Sequence, residues 1–246
     1  MKTHNFSKLK SKISEKEYLK ILVLRTVGNF LIFSSLFFIG KTFYQPVREE
    51  IRYFVDRKIQ KKYIVADTQN NQGIVRDYSS SAPKNGLAKM FNLKTVEVLV
   101  PQDTDYGIVI PKIGANAKII ANVNSATESD YLKALQQGVA HAAGTAYPGE
   151  SGHIFLFAHS TDYIWNVGSY NAVFYLLYKL ELGDEIDLFY QGQRYVYRVT
   201  DKTIVNPSEV EYLTRKTNEE LLTLQTCWPP GTTLQRLLVF AKREAE

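Results

Sequence analysis

The sequence predicts a mainly β fold, a closed barrel or sandwich of short strands with one or two short helices, behind a transmembrane helix. Three observations lead there. From Lys94 onward the chain is a series of short β-type runs separated by turn residues. Only one stretch in that region, Glu128 to Gln137, has a clear helical signature. Ahead of them, residues 21–40 are apolar apart from Arg25 and a few small polar groups.

That apolar stretch is the first element. Twenty helical residues span about 30 Å, the thickness of a bilayer core. Arg25 lies near one end, where its side chain can snorkel to the headgroups. Phe30, Phe33, Phe37 and Phe38 occupy several faces of the helix, as lipid exposure favours and a soluble core does not. No small-x-small pair follows before Lys41, so an uncleaved anchor is expected rather than a signal peptide. Residues 1–20 form a tail before the span, rich in lysine. Lys41, Arg48, Arg52, Arg57 and Lys58 follow it, so the positive-inside rule does not by itself set the orientation.

The chain carries a net charge of +5, much of the excess flanking the span. This favours contact with anionic membrane lipid over nucleic acid, for which no reading module is present. Residues 41–63 read as a juxtamembrane helix, with Ile51, Phe54, Val55 and Ile59 at helical spacing. Ala66 to Lys89 is rich in Asn, Gln, Ser, Gly and Pro, a polar linker unable to build a core. The organisation is therefore 1–20 tail, 21–40 anchor, 41–93 juxtamembrane helix and linker, and 94–246 a single folded domain.

Within that domain the expected strands are Thr95 to Val100, Ile108 to Ile113, Ile154 to Phe157, Glu185 to Tyr190, Arg194 to Thr200, Leu221 to Thr226 and Leu237 to Ala241. Gln191-Gly192-Gln193 is a hairpin connection. Thr127 is the expected N-cap of the Glu128 helix, and Gly138 closes it. A second helix is expected over Ala172 to Tyr178.

The chemistry centres on Cys227, the sole cysteine, which excludes an internal disulfide. It ends the run Leu221 to Thr226 and precedes Trp228-Pro229-Pro230-Gly231, a loop sequence that leaves the thiol at the mouth of its strand. Nine residues later Arg236 opens the next apolar run, so a hairpin brings thiol and guanidinium together. A nearby cation favours the thiolate. His153 and His159 bracket one strand on one face, about 20 Å apart, so only one of them can stand beside Cys227. His159 lies at the strand's exit before the polar residues Ser160-Thr161-Asp162. His141 sits in the glycine-rich segment Gly138 to Gly149, and His4 precedes the anchor.

Thr223-Leu224-Gln225-Thr226-Cys227, the following Arg236-Leu237-Leu238-Val239 and the strand ending Phe157-Ala158-His159 resemble a sortase. Gly138 to Gly149 and Ile110-Pro111-Lys112-Ile113 resemble further segments of that family, and the resemblance covers residues 94–243. It implies a closed β-barrel of about eight strands. It also implies Cys227 as nucleophile, His159 as acid/base and Arg236 as the guanidinium that binds oxyanion or substrate. Thr226 and Leu224 of the same motif are expected to bind substrate.

The chain departs from the family at Ala158, where Gly is frequent, and at His153, where Asn is frequent. The Cys-to-Arg spacing is unlike class A and closer to classes C, D and E. The linker carries no Asp-Pro-aromatic lid motif and no second span follows Ala241, which argues against a pilin polymerase.

The implied activity is cleavage of an LPxTG-like sorting signal through a thioester and transfer of the acyl group to an amine. The implied partners are surface proteins bearing the signal, an amine acceptor such as a cell-wall precursor or a protein lysine, and membrane lipid. The expected location is the cell membrane, single-pass, with the N-terminus inside and the catalytic domain outside. A catalytically inactive, membrane-tethered peptide-binding barrel is the competing reading, disfavoured by the complete Cys, His and Arg set. The Ser-His-Gly-Cys signature of the other cysteine transpeptidases is absent. No cofactor or metal is expected: the thiol has no Cys-x-x-Cys partner, and no acidic clustering supports calcium.

Overall fold

Short apolar runs, several of them buried on both faces, make most of the domain sheet. A computed structural model describes residues 14–66, 96–160 and 172–244. The tail up to Ile13, most of the predicted polar linker, and Thr161-Asp162 after the histidine strand lie outside the described residues. The chain divides into two compact units, one up to Arg48 and one from Glu49.

The anchor stretch and the juxtamembrane segment, predicted as separate elements, form one helix, α1 (Glu15–Lys58), which passes through Pro46. None of its residues is buried, and it is long and apolar enough to cross a membrane. Leu24 is 74% exposed and Phe33 69%, surface that only an apolar surrounding makes favourable.

From Glu49 the second unit follows. Strands β1 (Lys62–Val65) and β2 (Val96–Leu99) pair in parallel as a separate ribbon. The others are β3 (Tyr106–Ile110), β4 (Ala115–Val123), β5 (Val139–Ala142), β6 (His153–Phe157), β7 (Glu185–Tyr190), β8 (Gln193–Val205), β9 (Leu221–Trp228) and β10 (Gln235–Arg243). These eight close into a barrel in the order β10-β8-β7-β3-β4-β5-β6-β9, with β9 returning to β10. Neighbours are antiparallel except β4 with β5 and β6 with β9.

The barrel interior holds one face of each strand: Ile108 and Ile110, Ile154 and Leu156, Ile186 and Leu188, Leu222 and Leu224, Leu237 and Val239. Phe174, Leu177 and Leu180 join the same core. That segment, predicted as a helix over Ala172 to Tyr178, contains only a 3-10 turn at Leu177–Lys179. Ala172, Phe174 and Leu176 are buried while Val173 and Tyr175 between them are half-buried, an alternation that does not fit a helical stripe.

Two patches cover the barrel's outer surface. The ribbon adds Val65 and Leu99 to Val109 and Phe189. The loop 206–220 lays Tyr212 against Val205, Leu238 and Phe240. The predicted hairpin between β7 and β8 is present, with Tyr190 paired to Gln193. Gln191 and Gly192 both take positive φ, 51° and 76°, as a two-residue turn matched to strand twist requires. Helix α2 (Glu128–Leu135) starts after Thr127 as expected, but the Thr127 hydroxyl does not cap it. That hydroxyl accepts a hydrogen bond from Asn124 Nδ2 at 2.9 Å instead.

Candidate active site

Strand register places the three site residues. Arg236 on β10 is paired directly with Cys227 on β9. On the other side of β9 runs β6, in parallel, with Phe157 opposite Gln225. Past that pair the backbone stays in step: Ala158 N–H donates to the Gln225 carbonyl at 3.1 Å, and the Thr226 hydroxyl donates to the Ala158 carbonyl at 2.9 Å. Two residues beyond Phe157 is His159, and two beyond Gln225 is Cys227. Neighbouring strands lie about 4.8 Å apart, so Cys227 and Arg236 stand side by side on β9 and β10, with His159, just past the end of β6, level with Cys227.

All three face outward. Leu222 and Leu224 are in the barrel core, so Thr223, Gln225 and Cys227 of the same strand lie on its other face. Arg236 shares the side of Leu238 and Phe240, and His159 follows the core residue Ala158. Cys227 is half-buried at the penultimate position of β9. Trp228, predicted as loop, is the last strand residue, and the ladder stops at Pro229, which has no N–H to give.

Parity corrects two expectations. Leu224, expected to bind substrate, is completely buried in the barrel core. Thr226 is 4% exposed, with its hydroxyl bound to Ala158. Both build the strand that carries Cys227. The outward neighbours of the thiol are instead Gln225, two residues before it, and Phe157, the β6 partner of Gln225. Counting back by two from Cys227 would have found Gln225.

The electrostatics also differ from expectation. Arg236 does pull the Cys227 thiol toward the thiolate, but burial outweighs it and the pKa stands above the ordinary value. Burial likewise lowers the pKa of His159. The resting pair is therefore thiol and neutral imidazole. The guanidinium is held in place by its Nη1, which donates to the carbonyls of Thr233 and Gln235 at 3.1 and 3.0 Å.

The other two barrel histidines are structural. His153 Nε2 bonds Thr223 Oγ1 at 2.7 Å, and His141 Nε2 bonds Thr145 Oγ1 at 2.7 Å. Both are pushed down to about 4, chiefly by burial. Among the described residues no group of three His, Cys, Asp or Glu side chains could hold a metal ion. A concavity of about 500 Å³ lies away from the thiol, where Tyr212 and Arg215 of the 206–220 loop meet Phe240 and Lys242.

Sortase D of Bacillus subtilis is 29% identical over 137 residues, 54% of this chain and 61% of that protein. The match thus spans less than two thirds of that relative's length. Among solved structures, a Clostridium perfringens sortase D5 transpeptidase is 23% identical, covering 69% of this chain and 95% of that one, with a TM-score of 0.47. Sortase C-1 from Actinomyces oris is 26% identical, covering 81% and 98%, with a TM-score of 0.49. Residues 108–244, more than half of the chain and inclusive of His159, Cys227 and Arg236, match the sortase domain model, and the chain belongs to the sortase family.

Proposed function

We propose that this chain is a membrane-anchored cysteine transpeptidase that cuts an LPxTG-like sorting signal and joins the upstream part to an amine. The reading is carried by the cross-strand pair of Cys227 and Arg236, with His159 just past the end of the neighbouring strand β6.

The chemistry follows from the resting protonation. Cys227 passes its proton to His159, giving thiolate and imidazolium, a minor form at equilibrium because burial disfavours both charges. The thiolate sulfur attacks the scissile carbonyl carbon. Arg236 lies beside it to hold the charge that develops on the carbonyl oxygen. The C–N bond breaks, the imidazolium proton leaves on the departing amine, and a Cys227 thioester remains. An incoming amine then attacks the thioester, His159 takes its proton, and the thiolate departs. Two acyl transfers replace one amide exchange.

Substrate would lie along the outer face of β9, over Gln225 and Phe157. The substrates are surface proteins carrying the signal, and the acceptor is a cell-wall precursor amine or a protein lysine. Helix α1 would anchor the enzyme in membrane lipid, N-terminus inside and barrel outside, where such substrates occur. The spacing of Cys227 and Arg236 fits a class D- or E-like enzyme that anchors proteins to the cell surface.

The test is Cys227→Ala assayed on a quenched sorting-signal peptide. Turnover should vanish, and the wild-type chain should yield an acyl-thioester mass adduct at Cys227. Unchanged turnover in that variant, or in His159→Ala, overturns the reading.

A further inference from the structure

The end of β9 is the place where the nucleophile is most easily lost. Cys227 is one residue from the last paired position, and Pro229 cannot extend the ladder. A terminal strand pair frays unless a side chain pins it. Trp228 supplies that side chain. It faces opposite to Cys227, packs on the barrel core, and its ring meets that of Tyr178 at 5.4 Å.

Tyr178 is itself fixed from two sides. Its carbonyl and that of Leu180 each accept a hydrogen bond from Lys202 Nζ at 2.7 Å. Its hydroxyl donates to the carboxylate of Glu50, near the C-terminal end of α1. Lys179 closes the cluster, 3.2 Å from Glu50 Oε2, with its ammonium over the Tyr178 and Tyr53 rings. Glu50, Tyr178 and Trp228 thus form a continuous contact path from a helix residue to the neighbour of the thiol. Glu50 lies well over a hundred residues from Trp228 in sequence, and nothing in local β-structure requires it.

We propose that Glu50 and Tyr178 are positioning residues for the transpeptidation described above: by pinning Trp228 they hold the end of β9, and with it Cys227, in line with His159 and Arg236. The inference rests on Cys227 being the nucleophile, but its structural half can be read without turnover.

The full-length chain in detergent micelles is the material. Its two tryptophans are Trp165 and Trp228, so Trp165→Phe leaves Trp228 as the sole reporter. In that background, Glu50→Gln and Tyr178→Phe are expected to red-shift Trp228 emission and raise its quenching by acrylamide. Each should lower kcat about fivefold with KM little changed, the loss of one charge-assisted hydrogen bond. The double variant should be no worse than either single one, because both break the same link. Glu49→Gln is the control: it removes the Glu49–Arg52 pair on the same helix but leaves the path to Trp228 intact, and should leave emission and kcat unchanged. Tyr178→Phe keeps the ring, so it remains informative if Glu50→Gln folds poorly. An unaltered Trp228 signal in both variants, or an equal loss in Glu49→Gln, overturns the proposal. If Cys227→Ala keeps its turnover, the nucleophile assignment fails, while the fluorescence still decides the contact path.

Discussion

Arg236 is the direct cross-strand partner of Cys227, yet the thiol it faces has a pKa above the ordinary value. Two opposing effects meet at one sulfur. Burial raises the cost of the thiolate, and the guanidinium returns only part of it. Replacing Arg236 by Gln therefore removes the charge that lowers this pKa, and the inflection for alkylation of Cys227 by iodoacetamide should move to still higher pH. As the sole cysteine, Cys227 can be followed without background. Loss of the charge opposite the oxyanion should also reduce kcat by about 10²-fold or more. An inflection that moves down would show that Arg236 is not acting on the thiol.

The pH–rate profile of the wild-type chain should be broad. Thiol with neutral imidazole and thiolate with imidazolium contain the same number of protons, so the reactive fraction is flat between the two pKa values. His159 lies below its ordinary value and Cys227 above its own. The acid limb of kcat/KM is expected below about pH 6.5 and the alkaline limb above about pH 8.5. A narrow bell centred near neutrality would contradict this.

Acid should weaken the barrel between about pH 6.5 and 4. His141 and His153 stay neutral in the folded state down to about 4. In the unfolded chain they protonate near 6.5, so the unfolded state takes up the extra protons and stability falls as pH falls through that window. Each contributes roughly 3 kcal/mol at most. Asp187, raised by burial beside Arg194, acts in the opposite sense and offsets part of the loss. Denaturant titrations at pH 7 and 4.5 measure the difference, and His153→Gln should reduce it.

Gly114 lies close against Arg52 within the second unit. Its φ is 63°, and a Cβ there would stand 2.5 Å from Arg52 Nη1. Arg52 Nη2 donates to the neighbouring Ile113 carbonyl at 3.0 Å. Gly114→Ala should cost about 1–3 kcal/mol in thermal unfolding, from backbone strain plus displacement of Arg52. In an Arg52→Ala background the same substitution should cost less, leaving only the strain.

Gln225 lies on the same outward face of β9 as Cys227, about 7 Å along the strand. A carboxamide there favours a substrate group that can hydrogen-bond. Profiling a peptide library with Gln225→Leu should show one position shifting from polar to apolar preference, with little change elsewhere. An unchanged profile would remove Gln225 from the substrate path.

Much of this is legible in the sequence because β6, β7, β9 and β10 are short apolar runs bounded by turn residues. β4 escaped notice: Ala115, Ala117 and Ala121 give little contrast between faces, and Asn116 and Asn122 are poor strand formers. β5, with Val139, Ala140, His141 and Ala142 all buried, carries no alternation at all. β1 is not expected from the sequence because only four residues define it, the first two of them within the expected juxtamembrane helix. β8 runs on to Val205, past the predicted end at Thr200, because pairing with β10 carries Asp201 and Lys202. Cys227, His159 and Arg236 stand out in motif and spacing as the candidate nucleophile, acid/base and guanidinium. Thr226 and Leu224 were misassigned because proximity in sequence was weighed without the parity of the strand. The state of the thiol depended on burial, which no spacing reveals.

The parallel pairing of β6 with β9 has a further consequence. It brings together residues about seventy positions apart, His153 opposite Leu221 through Phe157 opposite Gln225. Neither segment alone holds an unusual group: one offers an imidazole, the other a thiol beside an arginine. On the proposed mechanism, reactivity belongs to the seam between them. A chain cut anywhere between residues 172 and 205 would yield two pieces of ordinary side-chain chemistry, and mixing the pieces should restore a reactive dyad only if they rebuild that seam.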